Sequence, residues 1–82
     1  MKEERAGSPV RVGEVTIVPL ERVAVHHGGG KDRLWAYVYK EPVGVVVVSA
    51  GETWAFDVRG ERVPLETYID RIDGLRSVLA SL

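Results

Sequence analysis

The sequence VGVVVVS at Val43–Ser49 decides the fold of this chain. Its four consecutive valines put β-branched apolar side chains on both faces of a strand, because successive side chains in a strand point in opposite directions. Neither face of such a strand is stable against water. We therefore expect a central strand here, with the rest of the chain covering its two faces and pairing with its two edges.

The dipeptide Gly-Glu occurs three times between runs that have the composition of strands. Gly13-Glu14 separates residues 9–12 from residues 15–18, and glycine at the first position of a two-residue loop is what a type II′ hairpin turn requires. The same dipeptide follows the valine strand at Gly51-Glu52 and returns at Gly60-Glu61. The three turns predict a meander of antiparallel strands.

Two prolines interrupt the predicted strands. Pro19 has no amide proton to give to a neighbouring strand, so we expect it at a sheet edge or a bulge before the strand resumes over residues 20–26. Pro42 is compatible with either a type I turn or a kink inside one long strand, and the sequence does not decide between them.

Beyond Pro64 the apolar residues fall three or four positions apart, which is the spacing of one face of a helix. They are Leu65, Ile69, Ile72, Leu75, Leu79 and Leu82. The pair Asp73-Gly74 favours a helix end, but the apolar stripe keeps its phase across Gly74. We therefore expect one helix over residues 64–82 that contains a single unfavourable glycine.

These elements predict an α+β fold. An antiparallel meander of five or six strands, either open or rolled, spans residues 9–63, and the C-terminal helix packs on one face of it. Residues 1–8 are charged or small and offer nothing to bury, so we expect a flexible leader followed by a single domain over residues 9–82.

The composition excludes several classes of protein. The chain has no cysteine, which removes disulfides, thiol nucleophiles and thiolate metal sites and is compatible with a reducing compartment. A net charge of −1 with both signs interspersed gives no basic field for nucleic acid or for a membrane surface. No apolar run approaches the roughly 20 residues that span a bilayer. We expect a cytoplasmic protein, and the absence of Asn and Gln is typical of a thermophile.

Three segments together resemble a known family. They are VGEVTIVP at residues 12–19, Val23-Ala24-Val25 leading into Gly28–Gly30, and EPVGVVVV at residues 41–48. In this order they are similar to the small sporulation proteins of the spore-germination (GerW, YtfJ-like) family, over about residues 9–58. The resemblance implies a non-enzymatic cytoplasmic protein of spore formation or germination, with no catalytic residue to carry over. We expect no cofactor.

His26-His27 is the candidate for a metal, acid-base or small-ligand site, with Asp32 and Glu41 as helpers. Adjacent residues of a strand point to opposite faces, so the two imidazoles share an ion only if the strand has already ended at Val25. We favour a structural interpretation, with one imidazole exposed and the other packed. A ligand-binding or metal-binding module is the alternative function.

The glycines Gly28, Gly29 and Gly30, followed by Lys31, resemble a phosphate-binding loop only superficially. A P-loop needs Ser or Thr after the lysine and then a helix, whereas Asp32 and a predicted strand follow here. We expect a flexible connection between strands, with a backbone anion site as the alternative.

Aromatic residues supply the candidate interface. Trp35, Tyr37 and Tyr39 alternate along one predicted strand, Trp54 and Phe56 along another, and they form one surface if the strands are neighbours. One helix covers only one face of a sheet, so apolar surface is left over. We expect a homodimer or higher homo-oligomer through the face opposite the helix, and a closed monomeric roll is the alternative.

Overall fold

The computed structural model describes residues 2–30 and 33–82, with side chains for all of these except residues 2 and 33–35. The strands are β1 (Lys2–Ala6), β2 (Val10–Val12), β3 (Val15–Gly30), β4 (Arg33–Ser49), β5 (Glu52–Asp57) and β6 (Arg62–Val63), and the helices are α1 (Leu65–Arg71) and α2 (Leu75–Ala80). The sheet has the order β1-β3-β4-β5-β6, with β2 also paired to β3, and every pair is antiparallel. The predicted α+β class is confirmed, and the strands from β2 to β6 form the predicted antiparallel meander.

The valine strand is central, as predicted. The second half of β4 pairs with β3 on one side and with β5 on the other, and Val46 in its middle is fully buried. The other valines of the run are half-buried. Two-sided pairing satisfies the backbone of this segment and leaves its side chains to be covered from above and below.

The turns join the predicted strands, with two differences. The connection predicted at Gly60-Glu61 covers the four residues 58–61, because β5 ends at Asp57. Gly13 has a φ of 62° in the hairpin between β2 and β3. The hairpin between β4 and β5 turns at Ala50-Gly51 rather than at Gly51-Glu52, with φ values of 51° and 77°. Two consecutive residues at positive φ are the pattern of a type I′ turn, which suits the twist of the strands.

Both prolines lie inside long strands, at places where the missing N–H is harmless. Pro19 lies in β3 between the segments that pair with β2 and with β1, and its carbonyl accepts a 2.7 Å hydrogen bond from the N–H of Gly7. Pro42 is a kink and not a turn, because β4 continues through it. Leu20 pairs with Gly44 but Glu21 pairs with Pro42, so Val43 is the extra residue of a β-bulge.

The N-terminal residues are a strand and not a leader. Lys2–Ala6 pairs along β3, and Ala6 packs against the core. Glu4 and Arg5 each form an ion pair with a residue of β3. The charged side chains, from which we expected a flexible leader, therefore fix an edge strand to β3. The domain begins before residue 9.

The C-terminal region contains two short helices and not one. The first ends at Arg71, where the N–H of Ile72 still bonds to the carbonyl of Tyr68, and the second begins after Gly74. Gly74 has a φ of 82°, a conformation that terminates helices and that glycine adopts without strain. The regular spacing of the apolar residues did not require one continuous helix, because Ile72 and Leu75 are both buried in the core on either side of the break.

The core lies between the sheet and the two helices. Its buried members are Val18, Leu20, Val46, Ala55, Tyr68, Ile72 and Leu75. The predicted apolar stripe faces this core from Leu65 to Leu79, with Leu65, Ile69 and Leu79 half-buried at its rim. Leu82, its last predicted member, lies beyond α2 and is 51% exposed.

The molecule is elongated, because β3 and β4 extend beyond the rest of the sheet. Its dimensions are 56 × 23 × 22 Å and its radius of gyration is 15.6 Å, against about 12 Å for a compact domain of this length. We call residues 25–30 of β3 and 33–40 of β4 the arm. Gly28–Gly30 belong to the β3 strand of this arm, so the predicted flexible connection over these glycines is wrong.

Candidate interaction surface

The two faces of the sheet differ in what covers them. The face that carries Val18, Leu20, Val46 and Ala55 is buried under the helices, and we call it the helix-side face. Strand alternation places the neighbours of these residues on the other face, which we call the open face. Both helices lie on the same side, so no described helix covers the open face.

An apolar patch occupies the open face at the end of the sheet away from the arm. Cross-strand pairing aligns its members across four strands, since Val10 pairs with Ile17, Ile17 with Val47, and Val47 with Trp54. The open-face patch consists of Val10, Val12, Val15, Ile17, Val45, Val47, Trp54 and Phe56. Val10 and Val12 are 53% and 61% exposed, and the others are half-buried.

The accessible area of the chain is large for its mass. The surface measures 6039 Å², whereas a compact monomer of 9.0 kDa exposes about 4,900 Å². The excess of roughly 1,100 Å² exceeds the roughly 800 Å² that each partner buries in a standard protein interface. Most of the large apolar side chains exposed on this surface belong to the open-face patch (Val10 and Val12) or to the arm (Tyr37, Val38 and Tyr39).

The predicted aromatic surface is divided between the two faces. Trp54 and Phe56 lie on the open face, opposite Val47 and Val45. Tyr37 and Tyr39 lie on the helix-side face of the arm, where they pair in register with His26 and the buried Ala24. The rings of Tyr37 and Tyr39 are stacked, with their centroids 6.5 Å apart. The Trp35 side chain lies outside the described part of the structure.

The two histidines of the candidate metal site point in opposite directions. The strand continues through both to Gly30, so His26 lies on the helix-side face and His27 on the open face. Both are exposed, and the ring of His26 lies 6.3 Å from that of Tyr37. No group of three or more His, Cys, Asp or Glu residues within residues 2–30 and 33–82 is placed to hold a metal ion. Asp32 is outside these residues.

The glycine segment has the geometry of a strand. A backbone anion site needs successive N–H groups that converge, whereas successive N–H groups of a strand point to opposite sides. Gly28, Gly29 and Gly30 therefore do not present a converging set of donors. Lys31, the expected cationic helper, lies outside the described residues.

A chain of ion pairs crosses the sheet at the base of the arm. Arg22 of β3 binds Glu41 of β4 at 2.5 Å and Glu4 of β1 at 3.1 Å. Glu4 in turn accepts two hydrogen bonds from Arg71 of α1, at 2.8 and 2.5 Å. No local signal in the sequence predicts these ion pairs, because their four members are far apart in sequence and meet only when β1, β3, β4 and α1 come together.

These contacts change the acidity of the groups that form them. The hydrogen bonds from Arg71, followed by those from Arg22, lower the pKa of the Glu4 carboxyl, although partial burial opposes them. The hydrogen bond to Glu41, followed by that to Glu4, raises the pKa of the Arg22 guanidinium, and the hydrogen bonds to Glu4 raise the pKa of the Arg71 guanidinium. The chain of ion pairs therefore consists of charged partners at neutral pH and fixes the first helix against the edge strand.

Comparison with models of known families, with curated proteins and with solved structures gives no match. The resemblance to the spore-germination family accordingly stands on the three sequence segments alone. Within the described residues, no helix is both long enough and apolar enough to cross a membrane.

Proposed function

We propose that this protein is a non-enzymatic structural or interaction module that works as a homo-oligomer, with a dimer formed through the open face as its basic unit. The observation that carries the proposal is the open-face patch, an apolar surface that crosses four strands and lies opposite the only face that the described helices cover.

The arrangement of this patch suits contact with an identical surface. A two-fold axis brings the same patch of two copies together, so each supplies the apolar cover that the other needs. Trp54 and Phe56 provide the large aromatic side chains that anchor protein interfaces. The exposed Val10 and Val12 extend the patch to the edge of the sheet.

The cellular role that we propose is the one implied by the family resemblance, in spore formation or germination in the cytoplasm. A structural role agrees with the distribution of the polar side chains. The ion pairs that involve Glu4, Arg22 and Arg71 join secondary-structure elements to one another and use their hydrogen-bonding groups in doing so.

Sedimentation equilibrium of three proteins tests the open-face dimer. The exposed residues Val12 and Val58 are 61% and 63% accessible, but only Val12 belongs to the patch, because Val58 lies in the loop between β5 and β6. Val12→Glu and Val58→Glu therefore add the same charge to equally exposed valines. We expect Val12→Glu to reduce the mass of the assembly to half or less, and Val58→Glu to leave it unchanged.

Two results would contradict the proposal. One is a wild-type mass near the 9.0 kDa of the single chain at micromolar concentration. The other is the same assembly mass for Val12→Glu as for Val58→Glu, with circular dichroism showing both variants folded.

A further inference from the structure

We propose that the outer edge of β4 in the arm is a second interface, at which two copies of the chain pair antiparallel about Val38. The proposal goes beyond the open-face dimer, because it concerns an edge of the sheet and not a face. It rests on the pairing of the arm, on the direction of its backbone groups and on the symmetry of its sequence.

The arm is a two-stranded ribbon that lacks the support of the rest of the sheet. In the part of the chain that the structure describes, residues 26–30 of β3 pair only with residues 33–37 of β4, and residues 36–40 of β4 pair only with residues 23–27 of β3. Every described side chain from Ala36 to Lys40 is exposed, including Tyr37 at 55% and Val38 at 58%. A two-stranded ribbon is marginally stable by itself, and its unpaired edges are templates for another strand.

The direction of the backbone groups follows from one hydrogen bond. The carbonyl of Pro19 accepts from the N–H of Gly7, so odd-numbered residues of β3 direct their backbone groups away from β4 and even-numbered ones toward it. His26 therefore exchanges hydrogen bonds with Tyr37 across the ladder. By alternation, Ala36, Val38 and Lys40 direct their N–H and C=O groups to the free edge.

The sequence places identical side chains, Tyr37 and Tyr39, on either side of Val38. An antiparallel pair of identical strands has a two-fold axis, and an axis at Val38 places Val38 opposite the Val38 of the second copy as a hydrogen-bonded pair. Ala36 then lies opposite the Lys40 of the other copy, again through outward-facing groups. Ala36, Val38 and Lys40 therefore all obtain backbone partners in this register.

The same register joins the aromatic side chains. Tyr37 of each copy lies opposite Tyr39 of the other, on the helix-side face, as a non-hydrogen-bonded pair whose side chains are close. Within one copy these rings are already stacked, so pairing would extend the stack across the interface. Pro42 presents no N–H and limits the pairing at the base of the arm.

The absence of cysteine in the natural chain permits a direct test by cross-linking. Val38→Cys would place two thiols across the axis, with α-carbons about 5.5 Å apart, within the range that a disulfide spans. Val58→Cys, in a loop and 63% exposed against 58%, is the matched control. Under mild oxidation we expect Val38→Cys to form the covalent dimer at least about ten times faster than Val58→Cys.

Equal cross-linking rates for the two variants would overturn the arm interface. The arm interface can be tested separately from the open-face dimer, since Val38→Cys can be combined with Val12→Glu. We expect cross-linking to remain fast in that double variant even where Val12→Glu has reduced the assembly mass. Slow cross-linking in the double variant would show that the arm edge does not pair independently.

Discussion

The hydroxyl of Tyr68 occupies the space that a β-carbon on residue 44 would need. A methyl group at Gly44 would meet that hydroxyl and would lie 2.5 Å from the carbonyl oxygen of Phe56. The hydroxyl donates at 3.3 Å to this carbonyl and at 3.4 Å to that of Val43. Burial raises the pKa of the phenol, which therefore stays a neutral donor. The absence of a side chain at Gly44 therefore leaves the space that the buried Tyr68 side chain occupies.

Gly44→Ala should destabilise the protein by about 1–3 kcal/mol, as overpacking of a filled core does. Tyr68→Phe removes the hydroxyl, so it should recover part of this loss when combined with Gly44→Ala. Urea denaturation of the wild type, both single variants and the double variant measures the coupling. Strictly additive losses would show that the contact between the two residues is absent.

Ile72→Ala should reduce the free energy of unfolding by about 2–5 kcal/mol, because Ile72 is 1% exposed and lies at the break between the helices. Leu82→Ala is the control, since Leu82 is 51% exposed at the end of the chain and should change stability by less than about 0.5 kcal/mol. Thermal unfolding followed by circular dichroism compares them. A wild-type melting temperature for Ile72→Ala would contradict the observed docking of the helices.

Ala50→Asn should increase stability by about 1 kcal/mol. Ala50 is the one non-glycine residue at positive φ in the described chain, and asparagine adopts this conformation more readily and precedes glycine in favoured type I′ turns. Gly51→Ala, at the next position of the same turn, should instead be destabilising. Urea denaturation measures both changes, and a loss of stability in Ala50→Asn would argue against this turn type.

Glu4→Gln should destabilise the protein at neutral pH by up to about 1 kcal/mol, the range of partly exposed ion pairs. The pKa of Glu4 is lower in the folded chain than its ordinary value of 4.5, so its contribution is present above that value. It is lost as the pH falls through the folded pKa. The difference between wild type and variant should therefore shrink as the pH is lowered below 4.5.

The control for this pH dependence is Glu3→Gln, because Glu3 is exposed and lies on the opposite face of β1. Denaturation curves at pH 7 and at pH 3 compare the two substitutions. A difference for Glu4→Gln that is as large at pH 3 as at pH 7 would mean that its carboxylate charge is not the source of the effect.

Those features of the fold that depend on local signals could be predicted from the sequence. The four valines specify a buried strand, and the glycine turns specify the meander. The helix break could not be decided in advance, because the apolar spacing continues through Gly74 while its left-handed backbone interrupts the hydrogen bonds. The first strand could not be found either, since its charged residues acquire partners only when Arg22 and Arg71 are brought to them.

The faces on which the aromatic residues lie could be predicted only in part, for a similar reason. Counting positions along β4 puts Tyr37 and Tyr39 on the same face as Val45 and Val47, which is what strict alternation requires. The bulge at Val43 changes this count by one, so the tyrosines lie on the helix-side face and the valines on the open face. A bulge depends on how two distant segments align, so the residues on either side of it in the sequence do not predict it.

This extra residue also determines which genetic changes the hairpin tolerates. Loss of the single codon for Val43 would alter no other side chain, yet it would rotate one half of β4 by half a turn about its axis relative to the other half. Val45 and Val47 would then lie on the same face of β4 as Tyr37 and Tyr39. Changes in the length of the arm preserve its chemistry only when they add or remove residues in pairs along each strand. Related proteins should therefore differ in the length of the arm by even numbers of residues in each strand, and they should keep the extra bulge residue at its base.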